Sequence, residues 1–247
     1  MRSLPHPDWI TPDWPAERRV HALITTREGG VSSGKFASLN LSMRVGDDPR
    51  CVARNRAILR ACLPDEPAWV KQVHGTAVID ATRATPDAEA DGVVTQSPGP
   101  VCAVMTADCL PVFLSDRAGK SVGIAHAGWR GLAGGIVENV VQAMGTPSRS
   151  IIAYIGPGIG ARRYEVGEDV REAFVDRDPA AAKSFAPRQN GTYFADLYDL
   201  ARQRLAAAGV AEVYGGEFCT ATEERFFSFR RDQTTGRMAS LIWLEED

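Results

Sequence analysis

Three metal-competent side chains each sit in a turn marked by glycine or proline: His74 in Gln72-Val73-His74-Gly75, Cys109 in Ala107-Asp108-Cys109-Leu110-Pro111, and His126 in Ala125-His126-Ala127-Gly128-Trp129-Arg130-Gly131. Two imidazoles and one thiolate can hold zinc at three corners and leave the fourth to water. That is the pattern of a catalytic site, because structural zinc is usually closed by four protein ligands. Zinc in such a site lowers the pKa of its water to about 7 and polarises a carbonyl or leaving group, which suits hydrolytic deamination and related group transfers. Two other readings stand beside this one. A histidine at a strand end and a lone cysteine are commonly satisfied structural residues. Alternatively, Cys109 and His126 could form a nucleophile and base, with His74 or an aspartate as orienter. The long, irregular spacing of the three residues is not a zinc-finger signature.

Neighbouring residues add to the chemistry. Asp108, beside Cys109, and Asp91 in Ala90-Asp91-Gly92 are candidates for orienting a ligand or moving a proton, with a turn-capping role as the alternative. The glycine-rich segment 128–135 leads from His126 into an amphipathic pattern, so its free N–H groups and Arg130 could receive a phosphate near the metal. Alternatively its glycines serve only a tight turn and close packing. Gly156-Pro157-Gly158-Ile159-Gly160 is a second rigid turn but not a P-loop, since no Gly-Lys-Ser/Thr follows. In Phe226-Phe227-Ser228-Phe229-Arg230-Arg231-Asp232 the phenylalanines read as core, and the two arginines are left open.

These residues need strand ends to bring them together. Short apolar or β-branched runs predict strands at 20–25, 68–73, 101–106, 110–114, 121–125, 151–155 and 240–244. His74 would follow the second, Cys109 would lie between two strands, and His126 would end another. Side chains at strand termini can converge on one rim of a sheet although far apart in sequence. Asp48-Pro49 predicts an N-cap and a helix to about Cys62. Leu132, Ile136, Val137, Val140, Val141 and Met144 predict a second helix, a third opens near Glu168, and a fourth follows Asp196. Residues 80–90 and 176–190 read as loops. Asp116-Arg117-Ala118-Gly119-Lys120 joins two strands as a hairpin, so the sheet is mixed and a doubly wound nucleotide fold is disfavoured.

Composition narrows the class. The 247 residues are 44% hydrophobic and 24% charged, enough for one sizeable core and a single domain over 1–247. A net charge of -3 gives no electrostatic case for nucleic acid or an anionic membrane, and a small molecule is the better partner. No apolar run reaches membrane-span length, and the N-terminus through Trp9 lacks an apolar leader core, so a cytoplasmic protein is expected. Five cysteines, an odd number, argue for reduced thiols, with Cys51, Cys62 and Cys102 as small core residues.

The chain resembles a known family over nearly its whole length. The matching stretches include Thr25-Thr26-Arg27-Glu28-Gly29-Gly30-Val31-Ser32, Ser38-Leu39-Asn40-Leu41 with Gly46-Asp47-Asp48-Pro49, Asn55-Arg56, the three turns above, Ile155-Gly156-Pro157, Tyr164-Glu165-Val166-Gly167, Cys219-Thr220, and Phe227 through Arg237. They are similar to the bacterial peptidoglycan editing factors, also described as purine nucleoside phosphorylases and earlier as laccase-domain or polyphenol oxidase proteins. The resemblance implies a layered α/β/β/α sandwich, outlined also in glutamine-deamidating bacterial toxins. It implies zinc on His74, Cys109 and His126, with Asn40 and Arg56 lining a nucleoside site. The implied activity is phosphorolysis of purine nucleosides, methylthioadenosine among them, to base and ribose 1-phosphate, with adenosine deamination beside it. An editing hydrolase that removes a wrongly incorporated amino acid from a nucleotide-linked muropeptide precursor is the alternative from the same resemblance, and a non-enzymatic zinc-ordered binding module is a third. The older copper label fits poorly, because a multicopper centre needs more than the four histidines His6, His21, His74 and His126, although copper could enter one Cys/His/His site adventitiously. A monomer or weak oligomer is expected.

Overall fold

Strand residues that alternate between two hydrophobic cores set the architecture. In β5 (Val101–Thr106), Val101 and Ala103 face one cluster while Cys102 and Val104 face another; in β6 (Leu110–Asp116), Leu110, Val112 and Leu114 lie on one side and Phe113 on the other. A strand apolar on both faces must be covered on both, which requires layers above and below each sheet. The computed structural model describes residues 6–246; residues 1–5, part of the stretch searched for a leader, lie outside the described ones.

A four-stranded sheet has the order β1 (Val20–Ile24), β13 (Met238–Leu244), β5 and β2 (Pro67–Ala68). A six-stranded sheet has the order β12 (Glu212–Gly215), β8 (Ile151–Ile155), β6, β7 (Val122–Ala127), β4 (Gly92–Thr95) and β3 (Val78–Asp80). Both sheets mix parallel and antiparallel pairs, as the hairpin at 116–120 requires. In that turn the Asp116 carboxylate accepts the N–H groups of Lys120 and Ser121. The two sheets share one core containing Ile24, Val93, Cys102, Val104, Phe113, Ile124 and Ile242. Outside the six-stranded sheet pack α2 (Trp129–Gly134), α3 (Ile136–Ala143), α4 (Glu168–Val175) and α5 (Leu197–Ala207). Outside the four-stranded sheet, α1 (Pro49–Arg60) contributes Leu59 to a core with Leu39, Leu41 and Trp69. The result is the expected α/β/β/α sandwich in a single domain. A small third sheet of β10 (Phe185–Pro187), β11 (Tyr193–Ala195) and β9 (Glu165–Val166) flanks it.

The caps behave as their sequences predict, with Asp48 accepting from Arg50 N–H and Asp196 from Asp199 N–H. Several boundaries differ. The 68–73 run pairs only through Pro67–Ala68 and a single bridge from Lys71 to Glu89, because the chain is leaving one sheet for the other. The helix predicted over 132–144 starts at Trp129 and is cut in two by Gly135 at φ 106, a left-handed conformation that glycine adopts without penalty. The loop at 176–190 contains a short 3-10 turn, Pro179–Ser184, and strand β10. All five cysteines are unbridged, but only Cys102 is fully buried; Cys51 and Cys62 are half-buried. Among the described residues no helix is long and apolar enough to cross a membrane.

Phe113 is fully buried between the sheets and meets Tyr154 edge-on at 6.1 Å. Phe113→Ala is expected to cost about 3–5 kcal/mol by leaving a cavity there, measurable by urea denaturation; a loss below about 1 kcal/mol would mean that the two sheets close over the gap.

Candidate metal centre and cleft

Two crossings between the sheets place the donors. His74 lies on the path from β2 in the four-stranded sheet to β3 in the six-stranded one, and Cys109 lies between β5 and β6. Both turns use left-handed backbone at a non-glycine residue, His74 at φ 59 and Asp108 at φ 93. His126 belongs to β7 itself, opposite Pro111 of β6, and so shares the inter-sheet side of that strand with Ile124.

The three ligand atoms lie within 4.8 Å of one another, with Cys109 Sγ 3.9 Å from His74 Nε2. The two imidazole centroids are 4.8 Å apart and steeply inclined. A tetrahedral zinc with bonds of about 2.0–2.3 Å would set its donors about 3.3–3.8 Å apart, so the group fits a metal if its widest pair closes by about 1–1.5 Å. Exposure grades from His74 at the surface through half-buried Cys109 to buried His126, leaving one side of the group toward the cleft. Gly128 is packed directly against it, since a Cβ there would stand 2.9 Å from both Cys109 Sγ and His74 Cδ2.

Asp91 holds the arrangement. Its Oδ1 pairs with His126 Nδ1 at 2.7 Å and accepts the His74 N–H at 3.0 Å, while Oδ2 accepts Val73 N–H at 3.1 Å and Gly75 N–H at 2.7 Å. The carboxylate is fully buried. Burial alone would raise its pKa, but the His126 partner and these N–H donors bring it below the usual range. With Nδ1 engaged, His126 turns Nε2 to the centre, the usual way a carboxylate orients a metal-binding imidazole. Burial opposes charge on Cys109 too, yet His126 and then His74 lower its thiol to about 6. The thiolate and Asp91 together overcome burial and raise His126 to about 9.

The donors open into a cleft of about 430 Å³ lined by Arg44, Gln72, Tyr164, Phe229, Arg230 and Arg237, among others. Gln72 is fixed by paired bonds to the backbone of Met105, at 2.9 and 2.8 Å. Tyr164 lies beneath the Arg230 guanidinium at 5.2 Å, and burial raises its hydroxyl well above the ordinary tyrosine range, keeping it protonated. Arg237 donates to the carbonyls of Thr235 and Gly236.

The other sequence candidates lie elsewhere. Asn40 is fully buried, donating to Ser42 O and Asp47 Oδ2 and accepting from Ser42 and Arg237 N–H, so it supports two cleft residues from behind. Arg56 does not line the cleft; its guanidinium stacks on Trp69 at 4.3 Å and donates to Leu41 O. Arg130 is exposed and stacks on Trp129 at 4.3 Å, outside the cleft lining. Phe226 and Phe227 are core, but Phe229 is 50% exposed at the cleft, because the short α6 (Phe229–Asp232) begins there and carries it outward. Arg44, Arg237 and Tyr164 were not singled out in sequence; Tyr164 and Arg237 sit in matched stretches, whereas Arg44 gives no local signal.

The family described as multi-copper polyphenol oxidoreductase laccase matches residues 21–245. A purine nucleoside phosphorylase of Pseudomonas aeruginosa is 49% identical over 240 residues, covering 96% of this chain and 99% of its own. The purine nucleoside phosphorylase YfiH of Escherichia coli is 50% identical over 239 residues, covering 95% and 98%. A crystal structure of a Neisseria meningitidis protein superposes with a TM-score of 0.93 at 51% identity, covering 97% of this chain and all of that one. The chain belongs to this family.

Two outcomes follow from the geometry. Asp91→Asn is expected to weaken retention of zinc, used as probe ion, about 10–100-fold, read by chelator competition; unchanged retention would mean that His126 is oriented otherwise. In metal-stripped protein, Cys109 should alkylate at a rate that climbs as pH rises through about 6 and levels off above it, with added zinc protecting it. A climb only near the ordinary thiol pKa would refute the thiolate assignment.

Proposed function

We propose that this family member is a zinc-dependent purine nucleoside phosphorylase, acting in the cytoplasm on a nucleoside and inorganic phosphate. The observation that carries this reading is one cleft that joins the His74, Cys109, His126 donor set to three guanidiniums and an aromatic wall. The names of the relatives support the same reaction class.

His74, Cys109 and His126 would hold the zinc, which when bound supplies a Lewis acid at the floor of the cleft. Arg44, Arg230 and Arg237 provide guanidiniums suited to a phosphate dianion. Phe229, with half its surface exposed at the cleft, offers a face to a purine. In phosphorolysis a phosphate oxygen forms a bond to C1′ as the C1′–N9 bond breaks, and the electron pair leaves with the base. The departing purine needs a proton or hydrogen bond, and Tyr164 is a neutral hydroxyl lining the same space. Adenosine deamination, in which water displaces the 6-amino group as ammonia, would use the same cleft. Copper-relay oxidation is disfavoured by the donors available. Of the four histidines, His21 stacks on Trp243 and bonds Glu245, and His6 packs on Gly29, so two remain for any metal.

Protein with stoichiometric zinc, given adenosine, inosine or methylthioadenosine, should release free base and the sugar 1-phosphate only when phosphate is present. Arg237→Ala should raise the KM for phosphate about tenfold or more. Failure of all three substrates to yield free base in the presence of phosphate would overturn the proposal.

A further inference from the structure

Asp108 spends both carboxylate oxygens on segments more than a hundred residues away. Oδ1 accepts the Thr220 hydroxyl at 2.6 Å, and Oδ2 accepts the Arg230 backbone N–H at 2.6 Å. Thr220 is fully buried and Asp108 nearly so. The Asp108 carbonyl is held from a third direction by Ile159 N–H at 2.8 Å. A non-glycine residue at φ 93 persists only where its surroundings over-determine it, and here three separate segments do. Asp108 borders the cleft, and each of its carboxylate oxygens is committed to a short, fixed donor that orients the residue.

What Asp108 grips is the roof of the cleft. Arg230 is the second residue of α6, beside Phe229, and both line the cleft. The Arg230 guanidinium then crosses Tyr164 to the carbonyls of Arg163 and Glu165, at 3.3 and 3.1 Å. The residue that seats this roof immediately precedes the Cys109 donor in the chain.

We propose that Asp108 is a positioning residue that ties the Cys109 turn to the Phe229–Arg230 roof, so that ligand affinity depends on it and the chemical step does not. The kinetic consequence rests on the phosphorylase reading; the structural tie does not. Thr220→Val removes one donor at nearly constant shape, and Asp108→Asn replaces one acceptor by a donor. Zinc-loaded protein of each variant is compared with wild type by zinc content, hydrogen exchange of the peptide covering 228–233, and steady-state kinetics. The expected result for Thr220→Val is unchanged zinc content, faster exchange confined to 228–233, a KM for nucleoside raised about tenfold, and kcat within about twofold, with Asp108→Asn moving the same quantities further. Unchanged exchange at 228–233 in both variants overturns the proposal, as does a fall in kcat at constant KM, the signature of proton transfer. Should wild-type protein prove inactive on nucleosides, the phosphorylase reading falls and the exchange measurement alone decides the tie.

Discussion

The Asp91 carboxylate is the interaction on which the site depends. It is buried, charged and surrounded by donors: three consecutive N–H groups of the Val73–Gly75 turn and one imidazole. A buried carboxylate is tolerable only when paired and fully hydrogen-bonded, and this one is satisfied by the residues that must be fixed for metal binding. The link is reciprocal. The turn at His74 adopts φ 59 because the carboxylate collects its N–H groups, and the carboxylate remains ionised because the turn and His126 surround it. The backbone repeats the connection, since the Asp91 carbonyl accepts His126 N–H at 2.7 Å.

Layering explains why the donors meet at this place. Two sheets that share a core must be joined by connections around its edge, and two of those connections deliver His74 and Cys109 to the same end of the gap that β7 fills with His126. Close approach then falls to glycine. Gly128 has no room for a Cβ beside Cys109 and His74, and at Gly131 a Cβ would stand 2.8 Å from Gly75 O. The glycine-rich segment after His126 therefore packs the turn carrying His74 against the start of α2. Its packing role is visible in the structure, while the guanidiniums lining the cleft come from other segments.

Much of this was legible in the sequence because it depends on local pattern. Alternation in 101–106 and 110–114 marks strands buried on both faces, the Asp48 and Asp196 caps mark helix starts, and the three donor turns stand out by composition. What escaped depends on distance in the chain. Arg44 reaches the cleft because Asn40 and Asn55 knit the 38–47 loop to α1 through buried amides, with Asn55 alone donating to Ser32, Ser38 and Asn40. Nothing in Met43-Arg44-Val45 announces that. The family resemblance implies a substrate contact at Asn40, whereas its four hydrogen bonds hold it behind the cleft lining. The neighbours of Phe229 in sequence predict a core residue, and the turn into α6, seated by Asp108, brings it out instead.

The choice between a metal centre and a cysteine nucleophile turns on how many groups converge. A thiol nucleophile needs one base and one orienter, and Cys109, His126 and Asp91 would supply that set alone. His74 would then be superfluous, yet its Nε2 also faces Sγ, and the turn that places it takes three of the four hydrogen bonds of Asp91. The charge state is common to both readings: a thiolate lowered to about 6 beside an imidazole raised to about 9 is a standing ion pair, which serves an activated nucleophile as well as a metal donor. What separates the two is the second imidazole held at the same point: a cation there would displace the proton from His126, pair the thiolate and use the fixed position of His74, which a nucleophile would not need.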